Sequence, residues 1–267
     1  MIWKAQQYPV KSRRQIDLMR KAGHILHGVM TEVIGAVRVG VTPKDLDTLA
    51  EKLIKSRGGR PAFKGLYGFP ATLCVSINEE IVHGIPKAQP LKNGDIISID
   101  CGVQLEGFYS DMAWTVGVGE ISEDHQRLLN ITENSLYAAI AVARAGNRLG
   151  ELGAAVEKYV TERGAFVVED YGGHGIGSEL HEDPRVENFA PTAGAPNGRL
   201  RAGMTLAVEP MVALGTGKNE VDPHDEWTVR TLDGSYAAHF EHTILITEGA
   251  AEILTAPDQT KLSLNPA

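Results

Sequence analysis

The chain repeats itself at a spacing of about 100 residues, too long for a solenoid and suited to two similar halves. The segment AVRVGVTPKDLDTLAEKLIKSRGG from Ala36 aligns with VARAGNRLGELGAAVEKYVTERGA from Val142. It matches Arg38/Arg144, Gly40/Gly146, Leu46/Leu152, Glu51/Glu157, Lys52/Lys158, Arg57/Arg163 and Gly58/Gly164. Further on, VHGIP at Val82 is echoed by GHGIG at Gly173, and LKNGDIISID at Leu91 by LRAGMTLAVE at Leu200. Asp100 stands six residues after Gly94, and Glu209 six after Gly203.

Local patterns repeat in the same order. Ser12 with Gln15 reads as a capping box, opening a helix along Ile16, Met19, Leu26, Val29, Met30, Val33 and Val37 that stops near Gly40. Thr42 caps a second helix with Pro43 in its first turn, ending at Gly58-Gly59. In the other half Ser122 starts a long helix to about Ala145, and a shorter one runs from about Glu151 to Arg163. Each helix pair precedes β-branched, strand-like stretches: DIISIDCG and SDMAWTVGV, then MTLAVEPM and EHTILIT. The expectation is an α+β fold with antiparallel sheets, a single domain over 1–267, its halves about 12–117 and 120–250.

Composition narrows the function. With 26 basic against 34 acidic residues, the net charge of -8 offers no broad basic surface for a phosphate backbone, so no nucleic-acid recognition is expected. No apolar run reaches membrane-helix length, and MIWKAQQYPVKSRR lacks a signal-peptide core, which makes the cytoplasm the expected compartment. Cys74 and Cys101 fit neither a CxxC pair nor a zinc spacing.

The acids carry the chemistry. A hairpin from Asp95 to Val116 turning at Leu105-Glu106 sets Asp100 directly opposite Asp111, Cβ atoms roughly 4.5–5.5 Å apart. Beside Ile97, Ile99, Met112 and Trp114 two bare carboxylates would repel in a buried sheet, and no Lys or Arg occurs between Lys92 and Arg127 to pair with them. Glu209 in LAVEPM and Glu241 in HFEHTILIT pose the same problem. Any one acid in a strand could be a solvated edge residue, but matched spacing in both halves argues against that. With His174 of YGGHGIG these acids make an oxygen-rich, one-nitrogen site suited to Mn, Fe, Co or Zn. Four negative charges fit two divalent metal ions better than one. GGHGIG is not a complete GxGxxG phosphate loop, and Pro184 stands where the nucleotide-binding helix should run.

The strings SINEEIVHGIP, GDIISIDCGVQLEGFYSDMAWT, GGHGIGSELHEDPRV, VEPMV and FEHTILIT together resemble type I, bacterial-type methionine aminopeptidase over nearly the whole chain. The resemblance implies the pita-bread fold, an internally duplicated sheet with helices outside, and removal of initiator methionine when the second residue is small. By motif, Asp111 and Glu241 would bridge two ions. His174 and Glu209 would complete one ion's shell, and Asp100 would chelate the other. Glu209 would also shuttle the proton as water attacks the first peptide carbonyl, with His83 and His181 acting catalytically beside the substrate. Phe63, Leu66, Phe69, Cys74, Leu180 and Trp227 are candidates for the methionine pocket, although the first three positions depart from the tyrosine- and cysteine-richer bacterial pattern. The implied partners are methionyl peptides and nascent chains, with the ribosome as a candidate, and a minimal monomeric enzyme is expected. Competing readings are an Xaa-Pro aminopeptidase or prolidase, a pita-bread binding protein without activity, and a mononuclear iron oxygenase, for which four acids and one histidine fit badly.

Overall fold

The structure is a computed structural model and describes residues 8–192 and 197–256. Four helices carry the outer layers: α1 Arg13–Gly35, α2 Pro43–Ser56, α3 Glu123–Val142 and α4 Gly150–Thr161. The expected starts hold for physical reasons. Ser12 and Gln15 form a reciprocal capping box, Thr42 and Asp45 form another with Pro43 in the first turn, and Ser122 accepts the His125 N–H. Helix α1 turns Met19, Leu26, Val29, Met30 and Val33 fully inward, each burial stabilising by about 1.5–3 kcal/mol. It ends at Gly35, before Gly40. At Gly23 the chain near Leu254 passes so close that a Cβ would lie 2.2 Å from the Leu254 carbonyl oxygen.

The sheets are antiparallel. In the first half the strand Ile96–Leu105 pairs with Leu73–Ile77 and with Phe108–Gly117, and α1 packs across the latter two-stranded hairpin. In the second half Gly173–Gly175, Glu182–Val186, Thr205–Val208, His242–Leu245 and Glu252–Ile253 form a five-stranded sheet. Matched residues of the repeat make matched hydrogen bonds. Gly40 N–H donates to Leu91 O and Leu91 N–H to Val41 O, while Gly146 N–H donates to Leu200 O and Leu200 N–H to Asn147 O. The paired glycines Gly94 and Gly203 both take the left-handed conformation, φ 93° and 90°, one turn before the strands that lead to Asp100 and Glu209.

One expectation about the hairpin is corrected. Its turn is Glu106-Gly107, not Leu105-Glu106: both residues have positive φ, 49° and 84°, as a two-residue type I′ turn requires. Leu105 therefore faces Phe108, Asp100 faces Ala113, and Asp111 faces Gly102. The two acids sit diagonally on one face instead of directly opposite.

The halves join along a seam made by side chains. Thr243 Oγ1 accepts the Asp111 N–H and donates to the Asp111 carbonyl, both at 2.8 Å. Thr115 Oγ1 likewise accepts from His239 N–H at 2.9 Å and donates to His239 O at 2.7 Å. Between them Glu241 N–H donates to Ala113 O at 2.9 Å. This threonine-mediated ladder sets Asp111 and Glu241, one from each half, at one buried centre. Among the described residues no helix is long and apolar enough to cross a membrane.

Candidate metal centre

All five expected ligands, Asp100, Asp111, His174, Glu209 and Glu241, line one cavity of about 440 Å³. Donor atoms of Asp111, His174 and Glu241 lie within 4.8 Å of one another, as do those of Glu209, His239 and Glu241, so the two groups share Glu241. Asp100 approaches Asp111 from the neighbouring strand closely enough for each carboxyl to shift the other's titration.

Electrostatics make the need for a cation explicit. Burial, then repulsion from neighbouring acids, pushes Asp100, Asp111 and Glu241 well above the ordinary carboxylate range. Burial also raises Glu209, but the surrounding His239, His174 and His83 outweigh it and hold this carboxyl below its ordinary value. Among the described residues no Lys or Arg pairs with any of the four; Arg185, at the cavity wall, pairs with Glu187 at 2.8 Å. Asp100 Oδ1 and Glu241 Oε1 are buried with no hydrogen-bond partner. Buried oxygens without donors, gathered from two half-sheets, fit hard divalent ions.

His174 is prepared in the same sense. Its Nδ1 lies 2.9 Å from Gly175 O, which can only accept, so Nδ1 carries the proton and Nε2 offers its lone pair to the cavity, 3.6 Å from Glu209 Oε1. The glycines around it serve close strand packing and no phosphate: a Cβ at Gly173 would meet Ala207 O at 2.2 Å, and one at Gly175 would meet Asp183 O at 2.3 Å.

His83 and His181 stand at the same cavity. Burial, reinforced by His174, draws His181 down to about 4, and burial lowers His83 too, so both rings are neutral at pH 7. The His181 ring meets the His174 ring edge-on at 4.5 Å, and His83 meets Tyr171 edge-on at 5.7 Å. The loop bearing His181 is braced by Glu182, which accepts from Lys11 Nζ at 2.6 Å, Ser178 N–H at 2.7 Å and Glu179 N–H at 3.2 Å. Burial raises Glu182, but these donors, Lys11 first, hold it below its ordinary value.

Phe63, Leu66, Phe69, Cys74, Leu180 and Trp227 all line the apolar end of the cavity, with Phe69 and Trp227 edge-to-face at 5.1 Å. The Phe63 loop rests on the hairpin of Asp100 and Asp111 at Gly102, the partner of Asp111, where a Cβ would lie 2.7 Å from Ala62 Cβ and 2.8 Å from the Phe63 ring. Side-chain Asp47 from α2 accepts the N–H groups of Thr72 and Leu73, fixing the strand that presents Cys74 opposite Asp100.

The sequence reading missed Tyr67, Asp170, Tyr171, Arg185, Met211 and His239, which line the cavity as well. A signal existed for His239, which precedes Glu241 by two residues and so shares its face of an extended chain. None existed for Tyr67, three-quarters exposed and left-handed at φ 52° in the loop between Gly65 and Gly68.

Comparisons with known proteins identify the family. Residues 17–248 match metallopeptidase family M24. A methionine aminopeptidase of Clostridium perfringens is 48% identical over 246 residues, 92% of this chain and 98% of that protein. Methionine aminopeptidase 1 of Bacillus subtilis is 46% identical, covering 92% and 98%. Among solved structures, the methionine aminopeptidase of Thermotoga maritima superposes with a TM-score of 0.90 at 43% identity, over 93% of this chain and 99% of that one. The prolidase of Pyrococcus furiosus, TM-score 0.74 at 24% identity over 94% of this chain and 66% of that one, shares the fold alone.

Proposed function

Because the chain belongs to metallopeptidase family M24, with the methionine aminopeptidases as its relatives, we propose that it removes the initiator methionine from nascent proteins whose second residue is small. It is a metal-dependent aminopeptidase with the pita-bread α+β fold. The observation that carries the rest of the reading is the set of four carboxylates beside His174, none paired with a Lys or Arg among the described residues and two with buried, unpartnered oxygens, opening onto an apolar slot.

Asp100, Asp111, His174, Glu209 and Glu241 would hold two ions, Asp111 and Glu241 contributing to both; Co, Mn, Fe and Zn all suit this donor set. Bound there, the ions would polarise the scissile carbonyl and acidify water at neutral pH. The protein's own groups do the remaining work. Glu209, the one acid of the four held below its ordinary titration range, is ionised and free to take a proton from the attacking water and pass it to the departing amine. Neutral His181 donates an N–H to the developing oxyanion, and His83 contacts the scissile amide nitrogen. The slot of Phe63, Leu66, Phe69, Cys74, Leu180 and Trp227 takes the methionine side chain. Residues 1–267 act as one monomeric catalytic unit in the cytoplasm, with halves 12–117 and 120–250.

Exhaustive chelation should abolish cleavage of a Met-Ala-Ser peptide and Mn²⁺ or Co²⁺ should restore it, while Glu209→Gln should fold yet lose most turnover. Peptides differing only in the first residue should be cleaved only when it is methionine. Full activity after chelation refutes the metal-dependent reading, and normal turnover by Glu209→Gln removes the shuttle.

A further inference from the structure

The cavity holds a fourth histidine, beside His83, His174 and His181, that the reading above leaves without a task. His239 is 2% exposed through its side chain, and its Nε2 points at Oε2 of Glu209 from 3.3 Å. That nitrogen is buried without a hydrogen-bond partner among the described residues, and Glu209 Oε2 at 3.3 Å is the acceptor within its reach. Its placement is fixed from the backbone, since Thr115 Oγ1 both accepts the His239 N–H and donates to its carbonyl. Glu209 thus has a histidine nitrogen beside each oxygen: Oε1 lies 3.6 Å from the unprotonated His174 Nε2, and Oε2 faces His239.

We infer that His239 is a positioning residue of the metal centre, donating its Nε2–H to Oε2 of Glu209 and so holding Oε1 turned toward the ion beside His174. The inference rests on the reading of Glu209 as a metal ligand. Its physical logic is that a ligating carboxylate has two oxygens and rotates between them unless one is held. A donor fixed by packing restricts that rotation, and outer partners of this kind typically change metal affinity by about 10–100-fold. A buried Oε2 stripped of its donor would also lose the hydrogen bond that offsets its burial. His239 shares its chain face with Glu241, two residues on, so one extended segment supplies both a ligand and the group that orients another ligand.

The test is Mn²⁺ binding to the full-length metal-free protein, measured by titration calorimetry and by metal analysis after equilibrium dialysis. H239L removes the donor at similar volume, and H239M serves if leucine does not fold. H239Q keeps an N–H within reach of Glu209. We expect H239L to bind Mn²⁺ about 10–100-fold more weakly at one site, with the other site close to wild type. H239Q should recover affinity to within a few-fold. Wild-type affinity in H239L overturns the inference. Equal impairment of H239Q and H239L also overturns it, because the ring would then act as an ion ligand or by packing alone. Glu209→Ala separates the premise from the inference. If Glu209→Ala keeps wild-type affinity at both sites, Glu209 is no ligand and both fall; if it loses affinity while H239L does not, only the positioning role fails.

Discussion

Replacing Thr243 by valine tests the seam that brings the two half-sites together. The two residues have nearly the same shape, and position 243 is fully buried, so the change removes one hydroxyl and little else. That hydroxyl serves two backbone groups, the Asp111 N–H and the Asp111 carbonyl, each at 2.8 Å. Both would be left buried without a partner, at about 1–3 kcal/mol apiece. The expected loss is therefore about 2–6 kcal/mol, a large share of the ~5–15 kcal/mol that holds a typical domain together. Urea unfolding of the metal-free protein should show a lower midpoint at an unchanged slope. Because the orphaned groups belong to Asp111, Mn²⁺ affinity should fall with stability. A surface threonine such as Thr161, which bonds only within its own helix, should tolerate valine with less than about 1 kcal/mol lost. A Thr243→Val protein within about 1 kcal/mol of wild type and with normal Mn²⁺ affinity would refute the argument that the threonine ladder positions Asp111.

Further outcomes follow from the same chemistry. Asp100, Asp111 and Glu241 titrate above their unfolded values in the metal-free protein, so their stabilising contribution is complete below the ordinary carboxylate pKa of about 4 and is lost as pH rises through the raised values. Metal-free protein should go on losing stability as pH rises above about 7, beyond the range in which the lowered His83, His181 and His242 act, and saturating Mn²⁺ should abolish that slope. A pH-independent melting temperature there would contradict the claim that the acids share an uncompensated site. Lys11→Met should leave Glu182 with one fewer donor and loosen the loop of His181, lowering kcat for a Met-Ala-Ser peptide several-fold, with Lys11→Met/Glu182→Gln recovering stability. Since Glu182 titrates below its unfolded value, the stability gap between wild type and Lys11→Met should be full above about pH 4.3 and close as pH falls through the depressed value. Unchanged turnover in Lys11→Met would remove this brace from the account.

Much of the fold was legible because the signals were local. Ser12, Thr42 and Ser122 announce helix starts through their own hydroxyls, and a cap needs nothing from elsewhere in the chain. That the four acids would gather at one site was legible for a different reason: an acid among buried strand residues is costly unless compensated, and the repeat showed the pattern twice. Register was harder. Glu106 adopts a left-handed conformation usually left to Asn, Asp or Gly, so the turn slid by one position and the face-to-face pairing of Asp100 with Asp111 became diagonal. His239 and the Lys11–Glu182 pair were not legible because their meaning lies in partners distant in sequence, 30 residues away in one case and 171 in the other.

The central claim is that acids from both halves share two divalent ions. Crystals grown with Mn²⁺ and measured at the manganese absorption edge would test it most directly. The account predicts two anomalous peaks about 3.5–4 Å apart, both within bonding distance of Asp111 and Glu241, one also touching Asp100 and the other His174 and Glu209. A single peak, or peaks away from these five side chains, would contradict it.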